Sequence, residues 1–379
     1  MRKGWEYKKL GEVATYINGY AFKPDQWKES GTPIVRIQNL NNENAPYNYY
    51  DGEVPDKVKI QNGDLLISWS ASLGAYVWHG GNAFLNQHIF KVAFDKTDID
   101  KFFLKYAVTS KLAAMAEQVH GATMKHIVKK DFDNTQIPYP PLSTQLAIVS
   151  ELDKINELIR LKKEQLKDFD NLAQSLFYEM FGDPVENEMG WEVKTFGEIG
   201  SVERGAGISK KDFVKEGLPC IHYGQLHTIL GPRTTKHFTS IPHNLLPKYK
   251  IAHTGDLVMA ITSEDVEGSC KSTVWLGDYD IIVGSDAAIF HHKQDGTFLS
   301  YYTMTKAFFN EKAKYAKGFK VTHISAKEIE KIPVYLPPLS LQRLFAQRIE
   351  QIEREKSEVQ KSIQDLETLL ASRMQYWFE

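Results

Sequence analysis

Polar side chains that can form paired hydrogen bonds follow a hydrophobic stretch near the start of this chain. The stretch predicts a strand over residues 32–40, whose end carries Arg36, Gln38 and Asn39. Asn and Gln form bidentate hydrogen bonds with adenine, and Arg forms them with guanine, in the major groove of DNA. The pattern is therefore typical of a strand end that reads base edges, and neutral drift of a surface loop is the alternative.

Other strand ends and loops along the chain also carry polar residues that could contact DNA. A strand predicted over residues 64–74 ends in small hydroxyl side chains, which suit phosphate contacts. The lysines could instead be ordinary solvated surface, and the histidines could be satisfied core residues. The predicted DNA-binding residues are Arg36, Gln38, Asn39, Ser68, Ser70, Gln87, His88, Lys125 and His126 in the first half of the chain, and His222, Tyr223, Gln225, Thr262, Ser263, Lys320 and His323 in the second.

Catalytic motifs are missing from the sequence. There is no Gly-x-x-x-x-Gly-Lys-Ser/Thr phosphate loop, so we expect no ATP hydrolysis. The double prolines follow Tyr139 and Leu336, which excludes the Asn/Asp-Pro-Pro-Tyr/Phe motif of adenine methyltransferases. Cys220 and His222 are too few ligands for zinc, and with only two cysteines no disulfide framework is expected. We predict no catalytic residues, no metal site and no cofactor held by this chain.

Composition and charge limit the classes of protein further. The chain has 379 residues, enough for two domains of ordinary size, and 42% of them are hydrophobic. No stretch is apolar enough for a membrane span and no signal peptide is apparent, so we expect a cytoplasmic protein. The formal net charge of -2 argues against a protein that coats nucleic acid by bulk charge, but not against binding through local patches.

The sequence repeats itself over nearly its whole length. Residues 4–6, Gly-Trp-Glu, recur at 190–192, an offset of 186 (190 minus 4). The Gly-Asp-Leu of residues 63–65 recurs at 255–257, and the Pro-Pro-Leu-Ser-x-Gln of 140–145 recurs at 337–342. The offset grows along the chain, which indicates loop insertions in a duplicated unit. We call residues before 183 the first copy and the residues from 183 onward the second copy.

Each copy ends in a stripe of mostly apolar residues at alternating spacings of four and three, which predicts a coiled-coil helix. Proline precedes each helix, and we expect Ser143 and Ser340 to accept hydrogen bonds from the amides of the first turn. The stripes are Ile148, Leu152, Ile155, Ile159, Lys162, Leu166, Phe169, Ala173, Leu176 and Met180, and Phe345, Ile349, Ile352, Lys356, Val359, Ile363, Leu366, Leu370, Arg373 and Trp377.

The predicted architecture is α+β, with a pseudo-twofold internal repeat. Two strand-rich domains, residues 1–140 and 183–336, are separated by two long antiparallel coiled-coil helices, residues 141–182 and 337–379. Helices of 35 to 40 residues would each span roughly 50 to 60 Å and act as a spacer between the domains. A bundle that only stabilises the domains is the alternative.

The order of these motifs, repeated twice, resembles the specificity subunit of Type I restriction-modification enzymes. The resemblance rests on four motifs: the Gly-Trp-Glu start, the Gly-Asp-hydrophobic strand that runs into residues 67–70, the Asn-Gln-His of residues 86–88, and the Pro-Pro-Leu-Ser-x-Gln helix start. The resemblance implies that each strand-rich domain reads half of a bipartite target in double-stranded DNA. One departure from the family pattern is that no partial helix precedes the first domain, so we expect the N-terminal segment to pack beside the C-terminal helix.

The resemblance further implies partners. The helices marked by Ile148, Leu152, Ile155, Ile159, Leu166, Ile349, Ile352, Val359, Ile363 and Leu366 would dock two methyltransferase subunits. Those subunits would hold S-adenosylmethionine, and restriction or motor subunits would use ATP and Mg. Two alternatives stay open: a specificity subunit of a Type IIB-like system, in which one partner polypeptide both methylates and cleaves, and a coiled-coil adaptor that binds no DNA.

Overall fold

A computed structural model of the protein describes residues 5–42, 44–118, 127–208, 210–243, 249–318 and 321–379. The chain forms two compact units. Unit 1 comprises residues 1–163 and 361–379, and unit 2 comprises residues 164–360. Each unit takes in one copy of the strand-rich region together with part of both long helices.

Unit 1 is a mixture of short strands and helices. Its strands are β1 (Glu6–Lys9), β2 (Thr15–Asn18), β3 (Thr32–Val35), β4 (Asn48–Tyr50), β5 (Lys59–Ile60), β6 (Leu65–Ser68), β7 (Gly74–Val77), β8 (Ala83–Leu85), β9 (Ile89–Ala93) and β10 (Gln136–Tyr139). Its helices are α1 (Leu10–Val13), α2 (Ile37–Asn41), α3 (Lys101–Gln118), α4 (Lys129–Asn134) and the first part of α5 (Leu142–Phe181), with 3₁₀ turns at Pro24–Gln26 and Asp56–Val58.

Unit 2 repeats this plan. Its strands are β11 (Glu192–Thr195), β12 (Gly200–Arg204), β13 (Leu218–Ile221), β14 (Arg233–Thr234), β15 (Thr239–Ile241), β16 (Ile251–Ala252), β17 (Leu257–Ala260), β18 (Thr262–Ser263), β19 (Ser272–Trp275), β20 (Ile281–Val283), β21 (Ala287–His292), β22 (Thr322–His323) and β23 (Pro333–Leu336). Its helices are α6 (Phe196–Ile199), α7 (Tyr223–Thr228), α8 (Gly296–Tyr302), α9 (Lys306–Ala313), α10 (Ala326–Ile329) and the first part of α11 (Leu339–Phe378), with a 3₁₀ turn at Lys210–Asp212.

The two units share one sheet topology. Unit 1 has sheets in the orders β2-β9-β6-β7 and β4-β3-β8-β5, and unit 2 has β12-β21-β17-β19-β14 and β15-β13-β20-β16. In each, the first strand pairs antiparallel with the strand before the long helix, as β1-β10 and β11-β23. The α+β fold with an internal repeat is confirmed by this correspondence.

The Gly-Asp-Leu motif makes the same turn in both units. Gly63 and Gly255 adopt positive φ angles of 90° and 97°, which the absence of a Cβ permits. The following aspartates close the turn, since Asp64 accepts a hydrogen bond from the Gln61 amide and Asp256 from the His253 amide, both at 2.8 Å. The recurring motif is therefore a strand-initiating turn.

A buried glutamine, instead of the expected serine, organises the start of each long helix. Ser143 and Ser340 lie inside the helices and are exposed, so their predicted capping role is wrong. The Gln145 side chain, 1% exposed, donates to the Pro140 carbonyl at 2.9 Å and accepts from the Asp100 amide at 2.8 Å. These bonds tie the long helix to the start of α3.

The same junction recurs in unit 2. Gln342, which is fully buried, donates to the Pro337 carbonyl at 2.8 Å and accepts from the Asp295 amide at 3.0 Å. Asp295 in turn caps α8 by accepting from the amides of Thr297 and Phe298. The Pro-Pro-Leu-Ser-x-Gln motif is thus a buried hydrogen-bonded corner between a long helix and its domain.

The long helices run antiparallel within each unit. In unit 1, Lys163 of α5 pairs with Glu367 of α11 at 2.8 Å, and Glu151 pairs with Arg373. In unit 2, Asp170 pairs with Lys356 at 2.7 Å, and the rings of Phe177 and Phe345 lie 5.6 Å apart. Lys356 was predicted as a polar residue in the helix seam, and its ion pair gives it a specific partner there.

The start of each copy packs against the end of a long helix. In unit 1, Trp5 stacks on Trp377 with ring centroids 6.0 Å apart, which confirms that the N-terminal segment lies beside the C-terminal helix. In unit 2, the Trp191 indole donates to the Phe181 carbonyl at 2.8 Å. The duplicated Gly-Trp-Glu motif therefore serves as a packing anchor at matched places.

Candidate nucleic-acid interface

The first group of predicted DNA-binding residues lies where β3 gives way to α2. The expected strand over residues 32–40 is wrong beyond Val35, because the Arg36 amide donates to the Asn39 side-chain oxygen at 3.1 Å and a helical turn begins. Asn39 is 4% exposed and donates to the carbonyls of Ala45 and Pro46. Gln38 is exposed and donates to the Pro46 carbonyl at 3.2 Å.

The second copy builds the same turn from different residues. The His222 amide donates to the Gln225 side-chain oxygen at 2.8 Å, as the Arg36 amide does to Asn39. Asn39 and Gln225 thus have a shared local role in starting α2 and α7, while their contact with bases stays a prediction. Tyr223 stands at the first position of α7, and its ring lies 4.7 Å from that of His222.

The second group in unit 1 surrounds the end of β6. Ser68 is fully buried and donates to the Ser72 carbonyl at 2.5 Å, and Ser70 is 6% exposed. Gln87 is exposed in the turn between β8 and β9, beside His88, whose ring lies 5.4 Å from that of Trp69. Gln87 is therefore the member of this group with an accessible polar end. Lys125, His126 and Lys320 lie outside the described residues.

In unit 2 the structure brings several predicted residues together along one cleft. Thr262 of β18 pairs with His323 of β22, and their side chains approach to 3.3 Å. Thr262, Ser263 and Tyr223 line a cleft of about 1140 Å³. Ser263 is 8% exposed, so within this group Thr262 and Tyr223 have the more accessible side chains.

A loop that sequence reasoning missed forms one wall of this cleft. Lys312 of α9 is 4% exposed, and its ammonium group donates to the carbonyls of Glu267 and Ser269 at 2.8 and 2.5 Å. Burial lowers the pKa of Lys312 below its usual range. In sequence, this lysine resembles a solvated surface residue, because both of its partners are more than 40 positions away.

The cleft carries charges of both signs. Its lining includes Lys210 and Lys271 as well as Glu264 and Asp265. A track for the phosphate backbone alone would favour lysine and arginine throughout. The carboxylates of this lining could accept hydrogen bonds from base amino groups such as that of cytosine, which a phosphate track does not require.

The residues that mark the two long helices face the interior. Eight of the ten are at most 8% exposed: Ile148, Leu152, Ile155, Ile159, Ile349, Ile352, Val359 and Ile363. Leu166 and Leu366 are partly buried. A partner would therefore contact other faces of these helices, where Leu146, Leu158, Leu172, Leu344 and Leu369 are 42–50% exposed.

The described residues provide no metal site, since they contain no cluster of three or more His, Cys, Asp or Glu side chains arranged around a cation. Cys220 and Cys270 are both buried free thiols, and burial raises the pKa of Cys270 to about 12. None of the helices in the described ranges combines the length and apolar character needed to cross a membrane.

Two long segments of the chain match one protein family. The family is described as the Type I restriction modification DNA specificity domain, and the matches cover residues 2–168 and 188–368. The chain therefore belongs to this family, and its two copies are DNA specificity domains of the Type I restriction-modification kind.

Individual relatives agree with this assignment. The chain is 24% identical to the Type I restriction enzyme MjaVIII specificity subunit of Methanocaldococcus jannaschii, over 97% of this chain and 92% of that protein. It shares its fold with a chain from a structural study of type I R-M complex assembly and conformational transition (TM-score 0.63, 19% identity, 99% and 97% coverage). It also shares its fold with the S subunit of a Type I system from M. genitalium (TM-score 0.51, 14% identity, 99% and 96% coverage).

Proposed function

We propose that each copy reads one half of a bipartite DNA target on behalf of methyltransferase subunits, and that the chain itself performs no chemistry. The observation that carries the proposal is a contrast between matched positions. The buried turns and junctions are the same in both copies, whereas the residue that follows β3 is Arg36 and its counterpart after β13 is His222. A retained scaffold with altered polar ends is what two readers of different sequences require.

The proposal also gives the long helices a role in assembly. Two methyltransferase subunits would dock on exposed faces of α5 and α11, and restriction subunits would join to cleave unmethylated DNA. In unit 1, Leu146 and Leu158 flank a shallow, largely apolar groove on α5 that also includes Val149. S-adenosylmethionine would be held by the methyltransferase subunits, and ATP and Mg by the restriction subunits.

The test is genome-wide mapping of methylated adenine in cells that carry the cognate methyltransferase, with and without this gene. We expect a bipartite methylated motif that appears only when the gene is present. The matched variants are Arg36→Ala with Gln38→Ala in the first copy and Tyr223→Ala in the second, whose side chains are not fully buried, and each should alter one half-site only. Unchanged methylation with an active methyltransferase would contradict the proposal and favour an adaptor that does not bind DNA.

A further inference from the structure

Arg36 and His222 occupy the same position in the two copies, and each lies against an aromatic ring. The offset is 186 (222 minus 36), and the rings, Trp27 and Phe213, share it (213 minus 27). The Arg36 guanidinium carbon lies 4.9 Å from the centre of the Trp27 ring, and the rings of His222 and Phe213 lie 5.5 Å apart. The duplication has thus retained an aromatic support and changed the residue that it supports.

The Arg36 side chain is held from two directions. Trp27 contacts the guanidinium and is itself anchored on a buried apolar cluster that includes Phe22 and Ile34. From another side, one guanidinium nitrogen (Nη1) donates to the Asn48 side-chain oxygen at 3.1 Å. Asn48 lies on β4, which pairs with β3, so its position is set by the sheet. The guanidinium is therefore oriented before any ligand arrives.

The charge of Arg36 has no counter-ion in the part of the chain that the structure describes. Both contacts of its guanidinium there are with neutral groups, an indole and an amide. Ordering a long, partly buried cation in this way has a cost in side-chain entropy and hydration. An oriented cation with unused N–H donors is the arrangement expected of a side chain that completes its contacts on a ligand.

His222 offers different chemistry at the matched position. It is 7% exposed, and its Nδ1 accepts a hydrogen bond from the Gly224 amide at 3.2 Å. Burial, together with the positive charge of Lys210, lowers its pKa below the usual value, so the ring is neutral near pH 7. The second copy therefore presents no cation at this position.

We propose that Arg36 recognises a guanine in the first half-site through paired hydrogen bonds to O6 and N7, with Trp27 and Asn48 as positioning residues. The inference rests on the proposed function of the two copies. The planar fork of arginine matches the two acceptors of guanine, and this pair is the commonest specific contact in the major groove. Phosphate oxygens share this acceptor chemistry, and the experiment separates the two sources.

The experiment maps methylated adenine in cells that carry the cognate methyltransferase and either the wild-type chain, Arg36→Ala or Arg36→Lys. We expect both variants to lose about 10- to 100-fold in preference for guanine at one position of one half-site. Lysine retains the charge but lacks the fork, so it should not restore the preference. Trp27→Leu should weaken the same preference to a smaller extent, and His222→Ala serves as the matched control that leaves this half-site unaltered.

Three outcomes would overturn the inference. The first is a wild-type first half-site without a G·C pair, and the second is an unchanged motif in Arg36→Ala. The third is a uniform loss of methylation at all target sites in Arg36→Ala, with wild-type methylation in Arg36→Lys. The last would assign the contact to phosphate. An unchanged second half-site in the methylated motif shows that the variant chain is folded. If Arg36→Ala does not fold, Arg36→Lys is used in its place. If the wild-type chain specifies no bipartite motif, the proposed function fails; if it does and the variants preserve it, only this inference fails.

Discussion

The loop after β6 in the first copy and the matching loop after β17 in the second differ in length. The five residues 69–73 connect β6 to β7, whereas the eleven residues 261–271, which include the short strand β18, connect β17 to β19. The longer loop pairs with β22 and is held by the buried ammonium group of Lys312. Insertions have therefore been accommodated at a strand end, where they border the cleft, without a change in the order of the shared strands.

The junctions between domain and helix show the opposite behaviour. Gln145 and Gln342 make the same pair of hydrogen bonds, to a proline carbonyl and from an aspartate amide. Buried polar groups need partners, so a change on one side of such a junction leaves an unsatisfied group on the other. The contrast suggests a physical rule for this chain: buried polar corners are retained, and exposed strand ends diverge.

The largest effect is expected at these corners. Gln145→Ala and Gln342→Ala each leave a half-buried aspartate amide and a buried proline carbonyl without their glutamine partner, so each should lower the free energy of unfolding by roughly 2–5 kcal/mol. Denaturant unfolding of the full chain measures this, with hydrogen exchange to locate the affected unit. The neighbouring Ser143→Ala and Ser340→Ala are controls, expected to change stability by less than about 0.5 kcal/mol. Gln342 also donates to the Gln294 side-chain oxygen at 3.0 Å, so Gln342→Ala should cost at least as much, and a larger loss in Gln145→Ala would break the comparison.

A smaller effect than that of the glutamine substitutions is expected from pH, which should change the stability of the two copies differently. Burial lowers the pKa of His292 to about 4. His292 of the second copy corresponds to Phe94 of the first. Ser201 pairs with His291, and its counterpart Thr15 pairs with Ala93. His292 and Phe94 are the next residues along their chains. Because the unfolded state binds a proton at a higher pH than the folded state, this contribution to stability is present above pH 6.5 and is lost as the pH falls towards 4.

Urea unfolding at about pH 7 and about pH 5 tests this assignment. Wild-type unit 2 should lose about 2 kcal/mol over this interval through His292, by the linkage of about 1.4 kcal/mol per pKa unit. His292→Phe, which installs the residue of the first copy, should lose correspondingly less. An identical pH dependence of the two proteins would rule out His292 as the source.

The smallest effect is expected at the loop of the second copy. Lys312→Met retains much of the side-chain volume but removes the donors to Glu267 and Ser269. The loss should be roughly 1–2 kcal/mol, because removing a buried charge offsets part of the cost of the two unpartnered carbonyls. Hydrogen exchange should accelerate in residues 264–271 and stay unchanged in unit 1. Unchanged protection of the loop would mean that the lysine does not hold it.

Sequence patterns alone determined the duplication, the two long helices and the class of protein. Each of these rests on short-range regularity: apolar residues at spacings of four and three, a glycine at a tight turn, and motifs that recur in a constant order. The apolar seam residues from Ile148 to Ile159 and from Ile349 to Ile363 are buried because that periodicity places them on one face of each helix.

Tertiary structure alone decided which polar side chains face inward. Gln145 accepts a hydrogen bond from an amide 45 positions away, and Lys312 donates to carbonyls 43 and 45 positions away. The Arg36 guanidinium lies over the Trp27 ring because the folded chain brings the two together. Composition and spacing did not distinguish Lys312 from a surface lysine, and they did not show that Asn39 is buried at the start of α2. Hydrogen-bond partners far apart in sequence are brought together only by packing, so the role of a polar residue is settled there.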